Sequence, residues 1–469
     1  MPLILLLISQ SRLRMKQLWW SWIVRRRIDC WLYFRTYSSS VFSDTRHLVL
    51  VSPSTRKEGS SMLIAKKIKL EVSDQDAATL EFMQGKCRGL YNWWVMHLRD
   101  GEKWPGWKEA KKTLQESKEY DTELSWVYGK LLHEVYFRLD KAMQAFFRRV
   151  KNGEKPGFPR VRPRHCFFTL CYPAMYIKVE GDKVTLPTGG GGRHGPKHFP
   201  DITATLTEEA PTDYKEVAIS RDGQGHYYAS FVHEVTDGVR EQDGVLAIDL
   251  GIKTLATGVN EQGRFYHIGG FKGGRWYTKQ LDKLRSRRDR CKKGSRRYKH
   301  LSKVYQRISQ QKRNKQQDCL HKASHLIAHK TVERTIVIGD LSQRQMVTKA
   351  HLERNKYLNR AVYNEWGLYA FVQMLLYKCA LSGKELIVLD ERDTSKTCSG
   401  CGKKQPMPLW KRTYHCPNED CRLVMDRDEN SAVNILKRFL ARLGPHTDDS
   451  VRCTDVFTGT DNVNTFEHI

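Results

Sequence analysis

Four cysteines, Cys398, Cys401, Cys416 and Cys421, form two close pairs in "TCSGCGKKQPMPLWKRTYHCPNEDCRL", with two residues inside the first pair, fourteen between the pairs and four inside the second. Thiolates at this spacing, each pair on a tight turn, complete a tetrahedron around one Zn²⁺. Gly400 and Gly402 let the first knuckle turn so that backbone amides can face the sulfurs, and Pro417 opens the second. Such a ribbon leaves no open coordination position, so its zinc is expected to be structural. Directly after it, "MDRDEN" places Asp426 and Asp428 two apart on what reads as an extended segment, pointing to one side. A third acid, Asp249, ends the apolar run "VLAIDLG", where an unpaired buried carboxylate would cost several kcal/mol. Each acid alone could simply cap a helix. Together, carboxylates from separate strands suit Mg²⁺, and two such ions would stabilise both the attacking water and the leaving oxygen of a phosphodiester.

The composition agrees with a polyanionic partner. The 469 residues carry 80 Lys and Arg against 52 Asp and Glu, a formal charge of +28 and a pI near 9.6. A membrane partner is disfavoured, since no run of about 18 apolar residues is present. Of twelve cysteines, the eight outside the ribbon are scattered singly, which favours a reducing compartment over a disulfide framework. Residues 1–61 differ in character: a short apolar start without a basic segment before it, and no convincing small-residue cleavage site. They read as an extension outside the folded protein or as an amphipathic surface segment. Met62, opening "MLIAKKIKLEV", is the better candidate for the functional start.

The acids and cysteines need a scaffold, and the chain supplies three kinds. Alternation over 62–75 and short β-branched and aromatic runs over 165–238 predict an antiparallel barrel or sandwich, interrupted over 76–164 by helices of three- and four-residue apolar spacing. Arg148, Arg149 and Lys151 close the second long helix and would track phosphates or merely solvate its face. Residues 244–396 and 424–443 alternate buried strands with helices, flanking the ribbon at 397–423, and 444–469 reads as a polar, frayed tail. Within this part lies a basic helical hairpin with "KKGS" as its turn. Arg285, Arg287, Arg288, Lys292, Lys293, Arg296 and Arg297, interleaved with Trp276, Tyr277, Tyr298 and Tyr305, favour contact with nucleic acid.

"AIDLGIKTLATG", "TSKTCSGCG", "DRDENSAVNIL" and the upstream "AMQAFFRRVKNGEKPGFPRV" resemble the TnpB/OrfB proteins of insertion sequences, relatives of Fanzor proteins and compact type V CRISPR effectors, from about Met62 to Leu443. The resemblance implies an α/β RNase H-like RuvC nuclease domain with the inserted zinc ribbon, a β-barrel wedge domain and a helical recognition domain. It implies a guide RNA and double-stranded target DNA as partners, two Mg²⁺ beside the structural Zn²⁺, and hydrolysis leaving 5′-phosphate ends; a monomer is expected. The family's first and third catalytic acids fall on Asp249 and Asp428. Its second, a Glu after an apolar strand, falls on Gly339 in "TIVIGDLSQ". Asp340 cannot simply replace it, because one step along a strand reverses the face. Some members of the wider family carry this acid at a displaced position. Glu365, in line with the apolar helix face Leu368, Val372, Leu375, Leu376 and Cys379, is the expected substitute, or else a first-turn Glu favouring the helix dipole. Were it the latter, a guided DNA binder without nuclease activity, or a DNA-binding accessory of transposition, would remain.

Overall fold

The computed structural model describes residues 61–190, 197–236, 238, 243–251, 254–340, 367–408, 410–443 and 463–466. The expected extension before Ser61 lies outside these residues, and so does Glu365.

The first half is a seven-stranded sheet bearing helices. Strand β1 (Ser61–Glu71) buries Ile68 and Leu70 and exposes the lysines between and before them, the alternation of a half-buried strand. Helix α1 (Asp74–Arg99) follows, with the Ser73 hydroxyl accepting from the Asp76 amide as its N-cap. Short helices α2 (Trp107–Lys112) and α3 (Leu114–Tyr120) lead to α4 (Gly129–Lys151). Strands β2 (Leu170–Pro173), β3 (Lys178–Glu180), β4 (Lys183–Leu186), β5 (Ile202–Leu206), β6 (Tyr214–Arg221) and β7 (Tyr227–Thr236) join β1 in the order β2-β6-β7-β1-β5-β4-β3, antiparallel throughout. The two edge strands, β2 and β3, are consecutive in sequence and joined by the single 3₁₀ turn Ala174–Tyr176. That short connection holds the edges side by side, so the sheet curls into the expected barrel. Leu80, Met83 and Trp94 of α1, Leu132, Val135 and Leu139 of α4, and Ile68, Leu70 and Phe231 of the sheet share one hydrophobic core. The helices therefore pack on the barrel as part of it.

The second half is built on a six-stranded sheet. Strands β8 (Val245–Asp249), β9 (Thr254–Asn260) and β10 (Phe265–Gly269) form an antiparallel meander. Helices α5 (Gly274–Asp289) and α6 (Arg296–His325) form the hairpin, turning at Gly294 with φ 83° and restarting on Ser295, whose hydroxyl accepts from the Tyr298 amide. Strand β11 (Thr335–Gly339) lies parallel to β8; helix α7 (Leu368–Leu381) and β12 (Glu385–Leu389), parallel to β11, follow. After the ribbon hairpin β13 (Thr413–His415) and β14 (Val424–Asp426) come α8 (Arg427–Leu443) and β15 (Val463–Phe466). The sheet order is β12-β11-β8-β9-β10-β15. Side-chain parity sorts its two faces. Leu246, Ile248, Ile336, Ile338 and Leu386 pack under α6 and α7, whereas Val245, Ala247, Val337 and Leu389 pack under α8. Coverage on both faces explains why β8 and β11 are almost wholly apolar.

Two buried lysines fasten the helical layer. Where α6 loosens into a π-turn, Leu326–Lys330, the Lys384 ammonium donates to the carbonyls of Ile327 (3.0 Å) and Thr331 (2.8 Å), and Lys378 donates to Ser324 Oγ (2.9 Å). They add charged donors to carbonyls at the break in the helical pattern, where the Ile327 carbonyl also accepts from the Thr331 hydroxyl (2.7 Å). Lys384→Met should lower the stability of this unit by about 1–3 kcal/mol, seen as faster amide hydrogen exchange along β11 and β12; unchanged exchange would remove the cap from the account.

Candidate active site and zinc centre

Parallel pairing sets Ile248 opposite Ile338, so Asp249 and Gly339 end neighbouring strands side by side. By parity both face α8, and α8 brings Asp428 there in its first turn, buried. Gly251 shows how close the approach is: a Cβ on it would lie 3.4 Å from Asp428 Oδ2 and 2.7 Å from the Thr254 carbonyl. Asp249 and Asp428, the two acids expected at the site, are thus brought together.

The third carboxylate at this place is one that the sequence reading missed. Gly339 pairs with Leu389 of β12, and Glu391, two residues further on the same parity, folds its carboxyl back over Gly339. A Cβ at position 339 would overlap Glu391 Oε2 and sit 2.9 Å from its Cβ and 3.0 Å from its Cδ. Glycine is therefore required under this side chain. The carboxyl occupies the space into which a glutamate at 339 would have projected. The signal was present in "LIVLDERD", an acid two steps past the last inward residue of a strand, but it is visible only once the β11–β12 register is known.

The electrostatics tie Asp249 to both of the other acids. Burial holds the Asp249 carboxyl well above the usual range, and the negative charges of Asp428 and Glu391 raise it further. Burial also pushes Glu391 up to about 7, with Asp340 and Asp390 adding. Asp428 is raised by burial against the lowering charge of Arg412, whose guanidinium donates to its Oδ2. Asp426 does not share the site: its Oδ1 accepts from the Asp428 amide (2.7 Å), so it caps α8. The segment is a strand end turning into a helix, which cancels the expected common direction of Asp426 and Asp428.

Among the described residues, the four cysteines are the group whose ligand atoms all lie within 4.8 Å of one another; the three carboxylates are not gathered so closely. Cys398 and Cys421 sulfurs stand 3.8 Å apart and Cys401 and Cys416 3.4 Å, close to the edge of about 3.8 Å of a tetrahedron with Zn–S bonds of about 2.3 Å. A Cβ on Gly400 would come within 3.0 Å of the Cys421 sulfur, so the first knuckle needs its glycine. The Lys403 backbone N–H holds the Cys401 thiol down at about 7, ready to ligate as thiolate. The acid cluster fits hard divalent cations by its all-oxygen donor set and by Glu391 Oε2, buried without a hydrogen-bond partner.

The ribbon is bolted to the helix that carries Asp428. The Ser399 amide donates to Asn430 Oδ1 (2.9 Å), and Nδ2 of Asn430 and of Asn434 both donate to the Thr397 carbonyl (2.8 Å each). Lys437 Nζ donates to the Ser399 carbonyl (2.6 Å). Positions 430, 434 and 437 fall on one helix face.

The predicted nucleic-acid residues divide. Arg287, Lys292, Lys293, Arg296 and Arg297 are exposed around the hairpin tip, and Arg148 and Lys151 are exposed at the end of α4, where Arg149 pairs with Glu154 (2.8 Å). Arg285 instead donates to Tyr305 Oη (2.9 Å), and Arg288 lies over the rings of Tyr298 and Tyr305 while pairing with Asp289. Those tyrosines and arginines hold the two hairpin helices together, and Tyr277 is buried. Arg412 of the ribbon lies against Asp428.

The sheet order, the acids at its strand ends and the appended zinc ribbon define an RNase H-like, RuvC-type nuclease fold beside a β-barrel. A family model described as "Probable transposase" (OrfB_IS605) matches residues 230–350, and one described as "Cas12f1-like, TNB domain" matches residues 369–435. The chain is TnpB/OrfB-like. A protein of Streptomyces pristinaespiralis, provisionally named an RNA-guided DNA endonuclease, is 32% identical over 229 residues, 48% of this chain and 53% of that protein. The chain thus spans about half the length of that relative. InsQ of Escherichia coli, with the same provisional name, is 24% identical over 394 residues, 80% of this chain and 92% of its own. Among solved structures, a Cas12f1 in complex with sgRNA and target DNA is similar in fold, with a TM-score of 0.52 at 14% identity, covering 77% of this chain and 83% of that one. Among the described residues no helix is long and apolar enough to cross a membrane.

The double variant Asn430→Ala/Asn434→Ala should keep its zinc, measured by metal analysis, yet lose about 1–3 kcal/mol of stability and exchange amides faster over 394–399. Zinc lost together with stability would instead mean that these bonds hold the knuckle itself.

Proposed function

We propose that the protein is an RNA-guided DNA endonuclease of the insertion-sequence type, cutting DNA at a cluster formed by Asp249, Glu391 and Asp428. The observation that supports a working site, against a guided binder that has lost its second acid, is the Glu391 carboxyl lying over Gly339. The carboxylate missing from β11 is supplied by the end of β12.

The three carboxylates would hold divalent cations, Mg²⁺ by their donor chemistry. Bound there, the cations would supply Lewis acidity to a phosphodiester and its attacking water. What the chain's own residues do follows from their places. Asp249, on a buried strand end, fixes one side of the cluster; Asp428, on a helix capped by Asp426 and tied to the ribbon, fixes the other; Glu391 spans the gap left by Gly339. Arg412 balances charge at Asp428 and is placed to meet a phosphate once cations take over that role. The exposed bases of the hairpin tip and of α4 would hold a guide–target duplex by its backbone, base pairing supplying the sequence discrimination.

The test is to express the chain with its flanking DNA, sequence the RNA that copurifies, and offer a plasmid carrying the matching target beside randomised flanks. Wild type should cut it in Mg²⁺; Asp249→Ala, Asp428→Ala and Glu391→Ala should each lose about 100-fold or more in rate. Glu365→Ala is the comparison. If it abolishes cleavage and Glu391→Ala does not, the second acid comes from the α7 side, and the role given to Glu391 falls.

A second prediction concerns the glycine. Gly339→Ala should be as damaging as Glu391→Ala without lowering stability comparably, whereas Gly339→Glu combined with Glu391→Gly should recover part of the activity by returning the carboxyl to β11. A double variant as inactive as the single ones would show that Glu391 has another task.

A further inference from the structure

A histidine outside the three acids stands in line with one of them. Asp249 on β8 is opposite Thr257 on β9, and Thr257 is opposite His267 on β10. Directly paired residues share a face, so this row runs across the sheet beneath α8, with His267 two strand spacings, about 10 Å, from Asp249. β10 is itself paired on both sides, by β9 and β15, which makes it a firm base. From that base His267 Nε2 reaches Glu429 Oε1 at 3.1 Å, both side chains largely buried, and Glu429 is the residue that follows Asp428 in the first turn of α8. The bond to Glu429 holds the imidazole above its ordinary range against burial, with the charges of Glu429, Asp426 and Asp428 adding, so the nitrogen is the donor.

Packing alone is a poor explanation of this pair. Glu429 opens a helix stripe that continues through Val433, Leu436 and Leu440, and those three pack in the apolar core against the sheet, as does Phe265 two residues before His267. Apolar residues at 267 and 429 would extend that core, and replacing a largely buried ion pair by such residues is often neutral or stabilising. What the pair supplies is direction. At about 100° per residue, the ribbon-bound Asn430, Asn434 and Lys437 stand roughly 180–240° round α8 from Asp428. Bonds gathered on that far side hold the helix in place but leave it able to roll about the line they form, and apolar contacts are non-directional. Glu429 lies off that line, about 100° from Asp428. Its bond to His267 removes the remaining freedom.

We propose that His267 is a positioning residue of the nuclease site: its hydrogen bond to Glu429 fixes the roll of α8, and with it the direction in which Asp428 meets Asp249 and Glu391. This rests on the nuclease reading above and adds to that site a residue that acts through the helix. The ribbon holds α8 from one side, and His267 holds it from the sheet.

The experiment uses the full chain with its copurified RNA and reads two quantities. Mn²⁺ held at the acids is measured by electron paramagnetic resonance as the part of the bound ion that Asp428→Ala loses; cleavage of the matching target is followed separately in Mg²⁺. His267→Ala and Glu429→Ala should each weaken that Mn²⁺ binding and lower kcat by about 10- to 100-fold, with KM for the target near that of wild type. The double variant should be no worse than either single one. His267→Gln, which keeps a donor for Glu429, should recover most of both losses. Mn²⁺ binding and kcat as in wild type for His267→Ala would overturn the proposal. So would a loss that His267→Gln does not recover, or one that a fall in melting temperature accounts for, since either would mean packing alone. If wild type cuts nothing while Mn²⁺ binding still falls in His267→Ala and returns in His267→Gln, the nuclease reading fails and the tie from His267 to Asp428 stands. Wild type that holds no Mn²⁺ at the acids overturns both.

Discussion

Like charge crowded at the neighbouring ends of parallel strands is the constraint around which the second half of the molecule is organised. Asp249, Asp428 and Glu391 each lie where burial penalises ionisation, and Asp249 is raised further by the other two. A fold keeps such a group only if its surroundings over-determine it. Here the β8–β11–β12 register fixes two of the positions, and a helix packed on the same face fixes the third. An ion pair that compensates it, Arg412 on Asp428, comes from the ribbon, and Arg427 adds positive charge from the start of α8. Charge balance at the cluster therefore depends on an element whose own stability comes from elsewhere.

That dependence explains a metal knuckle placed directly before the acids. The ribbon buries only Cys398, Met407 and Tyr414 as its own apolar core, too little for an independent unit of this size. A zinc ion held by the four thiolates would close it instead. Once closed, it offers a rigid edge of carbonyls and an amide to which Asn430, Asn434 and Lys437 attach. Position is thus transmitted from four thiolates, through three side chains of α8, to an aspartate in its first turn. Such ligation would do no chemistry on a substrate; it would set the angle at which α8 begins.

What could be read from the sequence was what depends on local spacing. The cysteine pairs, the strand ending in Asp249, the barrel interrupted by helices and the hairpin turn were all legible, because each is written in consecutive residues. Three features were not. Asp426 and Asp428 looked like one extended pair, but the strand ends between them and the first becomes a cap. Tyr298 and Tyr305 looked like stacking platforms, but helix-to-helix packing claims them through Arg285 and Arg288. Gly339 looked like a lost acid, and the residue lying over it sits 52 positions later on another strand. No periodicity connects 339 with 391; only the parallel pairing of β11 with β12 does.

The change of strand has a mechanical consequence. In the sheet order of the described residues, β11 is interior and β12 is the edge, paired there on one side, with Val388 half exposed. A carboxyl carried from β11 would share the rigidity of a doubly paired strand. Carried from β12, it shares the fate of an edge, whose pairing frays more readily than that of the interior. Lys384, immediately before β12 and buried against the Thr331 carbonyl, limits that fraying at one end; at the other, the Asp340 amide donating to the Leu389 carbonyl (2.7 Å) carries the β11–β12 pairing to the last residue of the strand. On this reading the capping lysine and the terminal backbone bond are as much a part of the site as the ribbon is. Together they keep Glu391 over Gly339 rather than out in solvent.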